Sequence, residues 1–519
     1  MDDLFDLFVI GGGVNGCGIA RDAAGRGLRV GLAEMGDLGG ATSSASTKMF
    51  HGGLRYLEYF EIRLVREALI ERERLLRAMP HIAWPMRFVL PYHRDMRFEG
   101  ETPASRLLSM VMPWMRGRRP AWVIRAGLFL YDHLGGRQLL PGTRAVDLTR
   151  DAAGQALLPK FRKAFEYSDV WVQDSRLVVL NARDAQARGA QIMVGTRVCA
   201  ARRVDDLWEI DLDHAGQRQQ VRARALVNAA GPWVEQMLGQ VEAMQTTARV
   251  RLVRGSHIVV PRIAGHDRSY FLQGADGRII FAIPYEQDFT LIGTTDEDHP
   301  DPDTPPILSE KERDYLLNFT NAYFRETLSA ADVVWSYSGV RPLYDDGAGD
   351  ARSATRDYVL ALDQDGAPLL SVFGGKITTY RKLAEHALQK LAPFFPDLAP
   401  GWTADVALPG GDFPVEKVAE RVSALRTAMP FLDEAHALRL FRTYGTEVAE
   451  VLGHPSSAAD LGRDFGAGLT EIELRWLMSH EFARTAQDVL WRRTRLGLHL
   501  TAEQAAQVDH WMRETLADS

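Results

Sequence analysis

Cysteine is nearly absent: Cys17 and Cys199 are the two in 519 residues, and they fall in separate predicted elements. Neither a disulfide framework nor a zinc ligand cluster can be assembled from them, which suits a reducing cytoplasm and leaves no metal site to expect. Long apolar runs are missing too. No stretch approaches the ~18 residues needed to span a bilayer, so the chain is expected to be soluble or to lie on a membrane rather than cross it. Nor is there a basic excess: Lys plus Arg number 61 against 68 for Asp plus Glu, a formal net charge of −7. That balance argues against a nucleic-acid partner. The first six residues are acidic and lead into a strand, so no signal peptide is expected. Internal repeats and low-complexity segments are likewise lacking. With 46% apolar and 25% charged residues the composition is that of an ordinary globular protein, and its length predicts two or three domains.

What is present begins at Asp6. The apolar run Leu7-Phe8-Val9-Ile10 predicts a strand, and Gly11, Gly13 and Gly16 follow in G-x-G-x-x-G spacing at the start of a helix. Gly11 permits the tight turn, Gly13 lets the backbone approach a pyrophosphate, and Gly16 lets helix and strand pack closely. Small residues at Gly18, Ala20, Ala23 and Ala24 keep that helix near a sheet, and Gly27 stands where it should stop. A second predicted strand, residues 29–33, delivers Glu34 to its end, where a carboxylate accepts bonds from ribose hydroxyls. Strand, glycine turn, helix and acid together predict a dinucleotide site.

A stretch rich in hydroxyls and backbone N–H groups follows from Gly39 to Lys48, then His51-Gly52-Gly53-Leu54-Arg55-Tyr56. A helix is predicted from about Phe60 to Met79. Strands are predicted near 87–90, 190–194 and 225–229, the last running into a glycine turn at Gly231. Residues 245–345 change to short alternating segments, which predicts an inserted antiparallel sheet. Strand, glycine pair and helix start recur at Leu369 to Tyr380, with Gly374 and Gly375 before a helix predicted to begin near Lys376. Past a proline-rich stretch at 393–400, segments near 415–429, 434–452, 470–496 and 502–517 carry apolar residues at helical spacing and predict a separate all-helical domain.

Glycine turns at 11–16, 231 and 374–375 predict an extended cofactor held at both ends. A helix N-terminus over the glycine pair at 374–375 would favour the negative charge of a reduced flavin. The runs Thr42-Ser43-Ser44-Ala45-Ser46, His51 to Leu57 and Tyr337-Ser338-Gly339-Val340-Arg341-Pro342-Leu343 carry a closer likeness, as do Gly11 to Gly18, Asn228 to Trp233 and Phe373 to Tyr380. In these segments, and in His480-Glu481 and Leu490 to Thr494, the chain resembles the FAD-dependent, membrane-associated aerobic glycerol-3-phosphate dehydrogenases. These belong to the glycine/D-amino-acid-oxidase group of flavoproteins.

The resemblance implies an α/β fold: an FAD-binding Rossmann-like domain with an inserted antiparallel substrate domain and an all-helical C-terminal domain. The expected division is 1–90 with 150–240 and 345–395 for the FAD-binding domain, 91–149 for a helical insertion, 241–344 for the substrate domain and 400–519 for the helical domain. It implies oxidation of sn-glycerol 3-phosphate to dihydroxyacetone phosphate, with electrons passing through non-covalent FAD to a membrane quinone. Peripheral attachment to the cytoplasmic face of the cell membrane is expected, and a homodimer is allowed for. FAD contacts are expected from Gly11, Gly13, Asn15, Gly16, Glu34, Thr42, Ser43, Ser44, Lys48, His51, Gly52, Gly53, Gly231, Gly374, Gly375, Lys376 and Thr378.

Residue chemistry points the same way. A phosphorylated substrate wants guanidinium forks, and Arg55 and Arg341 each stand beside an expected glycine turn, at Gly52-Gly53 and at Gly339. Oxidising an alcohol requires loss of its hydroxyl proton, so a base of near-neutral pKa is expected. His257 is the chosen acceptor, with His51 placed against the flavin and Lys376 on the substrate or the flavin's pyrimidine edge. Residues 95–118 form an extra segment relative to the family. In it Leu107 to Met115, collared by arginines, suits an anionic membrane surface or else a loop folded back on the protein. Two enzymatic alternatives stay open, a glycerol-3-phosphate oxidase using oxygen and an amine or amino-acid oxidase of the same fold. A flavin-binding protein without activity is the third.

Overall fold

The structure is a computed structural model that describes residues 4–93, 120–241, 249–274, 278–345 and 357–517, with isolated positions between 96 and 110. Its first sheet has eight strands. Leu4–Ile10 lies at the centre, hydrogen-bonded in parallel to Val30–Glu34 on one side and to Gln217–Asn228 on the other. Leu369–Phe373 and Gln191–Val194 extend the parallel core outward. Leu7, Phe8 and Val9 are completely buried because helices and a further sheet layer cover both faces, the reason such strands read as unbroken apolar runs. The connections leave the central strand in opposite directions, which opens a crevice at its C-terminal end where Gly11 begins.

The helix Val14–Gly25 rises from that crevice and packs between Asp174–Ala187 and Tyr380–Leu391. Gly16 is required there: a Cβ on it would lie 1.9 Å from the Gly11 carbonyl oxygen. The predicted strand, turn, helix and second strand are all observed.

The second sheet has ten strands and is mostly antiparallel. Its longest strand, Arg249–Pro261, lies near one edge and is flanked by Phe289–Gly293 and Trp335–Asp345. It extends beyond the segment expected to form it. Met49–Phe50, Ala83–Tyr92, Arg144–Asp147 and Lys163–Val172 belong to this sheet as well. The division at residues 90 and 150 is corrected accordingly: Ala83–Tyr92 pairs with Lys163–Val172 over ten residues, and both bury their apolar positions against the second sheet's core.

Two local expectations change. The helix expected to begin near Lys376 begins at Tyr380, with Lys376 to Thr379 forming a turn ahead of it. Gly339 is no turn; it sits inside the strand Trp335–Asp345, where a Cβ would meet that of Ala45 at 2.7 Å.

The C-terminal helices enclose a core of their own around Leu440, Tyr444, Leu474, Leu477, Val489 and Met512. The segment expected as one helix over 470–496 breaks. Glu471–His480 ends at Glu481, Phe482 adopts a left-handed φ of 61°, and Asp488–Arg493 forms a separate π-helical turn. Glu481 is fully buried because it pairs across the domain boundary with Arg176 of the helix Asp174–Ala187. Arg183 of the same helix reaches Glu447 at 2.8 Å.

Candidate active site

The crevice opens into a cleft of about 560 Å³ running from Glu34 past the first glycine turn to Lys376. At one end the Glu34 carboxylate accepts from the backbone N–H groups of Gly12 and Gly36, each at 2.7 Å. Burial raises its pKa, and the two N–H groups partly oppose that. In the middle, Gly11 takes a φ of 105° and approaches Ala229 so closely that a Cβ would lie 2.6 Å from the Ala229 oxygen. Ser43 Oγ accepts from Val14 N–H at 3.0 Å and closes the turn over Gly13. Asn15 donates to the Gly374 carbonyl at 3.1 Å and so ties the first glycine turn to the second, while its Oδ1 is buried without a protein partner among the described residues. Gly374 and Gly375 have φ of 73° and 99°, and Gly231, at φ 57°, stands on the same wall.

A long, mostly apolar groove with glycine backbone at three points, an acid at one end and an orphaned amide oxygen within it fits an extended dinucleotide. The far end carries a cluster of cationic and imidazole side chains. His51, His257, Arg341 and Lys376 all line it. His51 is neutral at physiological pH, because burial first, and then Lys376 and Arg72, push its pKa down to about 4. Lys376 Nζ lies 4.2 Å from the centroid of the Tyr56 ring. Arg341 donates to Thr294 Oγ1 at 3.1 Å and pairs with Asp296; its guanidinium crosses Gly255, where a Cβ would sit 2.3 Å from Nη2. His257 is 1% exposed and stacks on Tyr337, ring centroids 4.8 Å apart. Its pKa is held well below the usual value by burial first, then by Arg341 and Lys48.

Several residues expected to touch the cofactor stand behind the wall. Lys48 is 1% exposed and points away, bonding Asp174 through Nζ at 2.9 Å; a φ of 58° turns its side chain inward. Ser44 and Gly16 are also off the cleft. Gly52 and Gly53 pack beneath it, Gly52 N–H donating to Tyr131 OH at 2.7 Å. Thr378 acts through His51, accepting from its backbone N–H at 3.3 Å. Arg55, half-buried in the 3-10 turn Leu54–Tyr59, is not among the lining residues. Thr42, Ser43 and the remaining glycines do line it, with Thr42 Oγ1 donating to the Val340 carbonyl at 2.6 Å.

The cleft also recruits residues that the sequence did not mark as site residues. Asp37 lines it and is clamped by Arg492, itself a lining residue, and by Arg493 at 2.7 Å, both from the C-terminal domain. Burial alone would raise the Asp37 pKa; the two arginines hold it below the usual range. Gly293 leaves room for the His257 ring, and a Cβ there would lie 2.1 Å from Cδ2.

Residues 6–381 match the family model for FAD dependent oxidoreductases, and 402–518 match that for the C-terminal domain of alpha-glycerophosphate oxidase. The chain is 47% identical to the aerobic glycerol-3-phosphate dehydrogenase of Escherichia coli, covering 98% of this chain and 97% of that one. It belongs to the FAD-dependent glycerol-3-phosphate dehydrogenase family. A D-erythritol 1-phosphate dehydrogenase of Brucella abortus is 49% identical over 97% of both chains. The crystal structure of the glycerol-3-phosphate dehydrogenase from Bacillus halodurans, complexed with FAD, superposes with a TM-score of 0.70 at 24% identity, covering 98% of this chain and 94% of that one. FAD is therefore the cofactor of this family member, and the groove described above is where its residues fit one.

Proposed function

We propose that the protein oxidises sn-glycerol 3-phosphate to dihydroxyacetone phosphate and passes the electrons to a quinone at the membrane surface. The observation that carries this reading is the meeting of Arg341, Lys376 and His257 at one end of the FAD groove. Glu34 would hold the ribose hydroxyls, and Gly11 and Gly13 would admit the pyrophosphate. Gly374 and Gly375 would flank the far end. Bound there, FAD supplies the acceptor for the hydride that leaves carbon 2. Arg341 offers a planar fork of donors to the substrate phosphate and Lys376 adds a point charge. With Arg55 off the cleft wall, the phosphate is assigned to these two. Buried and neutral, His257 takes the hydroxyl proton.

The 49% identity to a D-erythritol 1-phosphate dehydrogenase favours a second reading, a longer polyol phosphate oxidised by the same groups. Anaerobic reduction of the purified holoenzyme by each compound decides between them. The leading reading requires the higher kcat/KM for sn-glycerol 3-phosphate; bleaching of the flavin by neither compound overturns both.

For the membrane, the helix Ala121–Leu134 presents Trp122, Arg125, Ala126, Phe129 and Leu130 to solvent at i, i+3, i+4, i+7, i+8 spacing. Phe129 is 60% exposed, and Phe60 and Ile62 stand exposed on the adjoining segments. An apolar stripe with a single arginine suits insertion among lipid headgroups. Tyr131 and Leu128 face inward and take no part. The Leu107 to Met115 segment lies outside the described residues except Met110, which is exposed. No helix among the described residues is long and apolar enough to cross a membrane.

A further inference from the structure

The assignment of His257 as proton acceptor leaves a difficulty of access. Its ring is sandwiched in register between Gly293 and Tyr337 on the two neighbouring strands, and it is 1% exposed. Nδ1 is buried with no hydrogen-bond partner among the described residues. The remaining nitrogen, Nε2, lies 3.0 Å from Thr47 Oγ1. Thr47 is half-buried and lines the cleft beside His257, and its hydroxyl holds the one ring nitrogen that has a partner among the described residues.

The loop around Thr47 is held unusually firmly. On its N-terminal side, Ser46 donates to Asp174 through both N–H and Oγ, at 3.2 and 2.8 Å. On its C-terminal side, Lys48 Nζ reaches both oxygens of the same carboxylate at 2.9 Å, and Lys48 N–H donates to Ser46 Oγ at 2.9 Å. Tyr337, the ring stacked on His257, donates its hydroxyl to the Ser46 carbonyl at 2.8 Å. Arg495, from the C-terminal domain, completes the cluster with a bond to Asp174 at 2.9 Å. The residues on both sides of Thr47 are thus anchored to one buried carboxylate; Ser46 and Thr47 both line the cleft wall, and of the three it is Thr47 whose side chain bonds His257. Such anchoring fixes a hydroxyl to within the tolerance proton transfer needs.

We propose that Thr47 is a catalytic residue that relays the substrate proton to His257. The hydroxyl on carbon 2 gives its proton to Thr47 Oγ1 as Thr47 passes its own to Nε2, so threonine ends unchanged and the imidazole ends protonated. The hydride of carbon 2 goes to FAD, the acceptor of the established family activity, and the carbonyl is formed. The relay rests on the reading of His257 as the acceptor. Charged and titratable groups facing that ring are Arg341 and Tyr337 of its neighbouring strand, Lys48 of the loop and Asp174 of the helix behind it.

The test is stopped-flow reduction of the holoenzyme's flavin by sn-glycerol 3-phosphate in Thr47→Val, Thr47→Ser and His257→Gln. Valine keeps the shape and removes the hydroxyl, and should slow reduction by roughly 10²-fold or more with little change in KM, the scale of a lost acid–base group. Serine should recover most of that loss. In the 15N spectrum of the histidine rings, Thr47→Val should shift the His257 resonance lost in His257→Gln, independently of turnover. A wild-type rate in Thr47→Val beside a slow His257→Gln overturns the relay and leaves the acceptor standing; a wild-type rate in His257→Gln overturns the acceptor itself. Equal losses with valine and serine also overturn the relay, since packing would then be the cause. Should the variants fail to hold FAD, a proton inventory on the wild type decides: two protons moving together give a curved dependence on deuterium fraction, and a straight line refutes it.

Discussion

At the scale of single residues, Arg341 is where charge and conformation meet. Its guanidinium passes over Gly255 and rests on Asp296, a partner that is largely exposed and so holds it weakly. A phosphate dianion in the cleft offers a stronger, bidentate partner. Arg341→Ala should cost about 2–5 kcal/mol in kcat/KM for the phosphorylated substrate, the range for stripping one partner from a desolvated charge pair. Arg341→Lys should recover part of it, and glycerol should remain a poor substrate for all three enzymes. Comparable kcat/KM in wild type and the alanine variant would place the phosphate elsewhere. Arg341 could be read from the sequence because a guanidinium in a family motif implies an anion. Lys48 could not be read correctly. In a run of small hydroxyl residues nothing marks which side chain turns inward, and the left-handed backbone that buries Lys48 becomes visible only with Asp174, which lies 126 residues away.

At the scale of elements, the strands and the first helix followed from local pattern because each buries a face of its own. Leu7 to Ile10 needed no distant partner to be recognised as a strand. The ten-stranded sheet was legible only in part. Ala83–Tyr92 and Lys163–Val172 are separated by about 70 residues, and their pairing is a choice made by tertiary packing that alternation alone does not record. The break at Glu481 was hidden for the same reason, since a glutamate within a helical pattern reads as a solvated charge until its arginine partner is known.

The buried cations also set an acid limit. Burial would raise the carboxyls of Asp37, Asp174 and Glu481, but Arg493, Lys48 and Arg176 respectively hold each below its ordinary value. A folded-state pKa below the unfolded one means these groups contribute stability above the unfolded value, and that contribution is lost as pH falls through the folded one. The contacts between the C-terminal domain and the FAD groove should therefore survive to below pH ~4, near the unperturbed carboxylate range. An acid titration should show flavin release and loss of near-UV circular dichroism together below that point. Release of flavin near pH 6 with the fold intact would show that these pairs do not govern the groove.

At the scale of the whole molecule, the exposed stripe on Ala121–Leu134 is the surface proposed above for contact with a membrane and its lipid-soluble acceptor. Replacing Trp122, Phe129 and Leu130 together with serine should release the protein from anionic vesicles and slow reduction of a membrane quinone. Reduction of a soluble dye should stay as it was, because none of the three residues lines the cleft. Wild-type binding should weaken with added salt without vanishing, as expected for apolar insertion aided by charge. Vesicle binding undiminished in the triple variant would move the attachment surface elsewhere.

The clamp of Arg492 and Arg493 on Asp37 joins positions 455 and 456 residues apart in sequence. During synthesis at about 5–20 residues per second, Asp37 waits roughly 20–90 s for that partner to be made. The central sheet waits almost as long for Leu369–Phe373. A ribosome-bound chain short of Arg492 carries the glycine turn and the ribose acid yet lacks one wall of the groove. The groove is therefore complete only once Arg492 has been made, and a chain terminated before it should leave the ribosome with a weaker hold on the coenzyme than the full chain has.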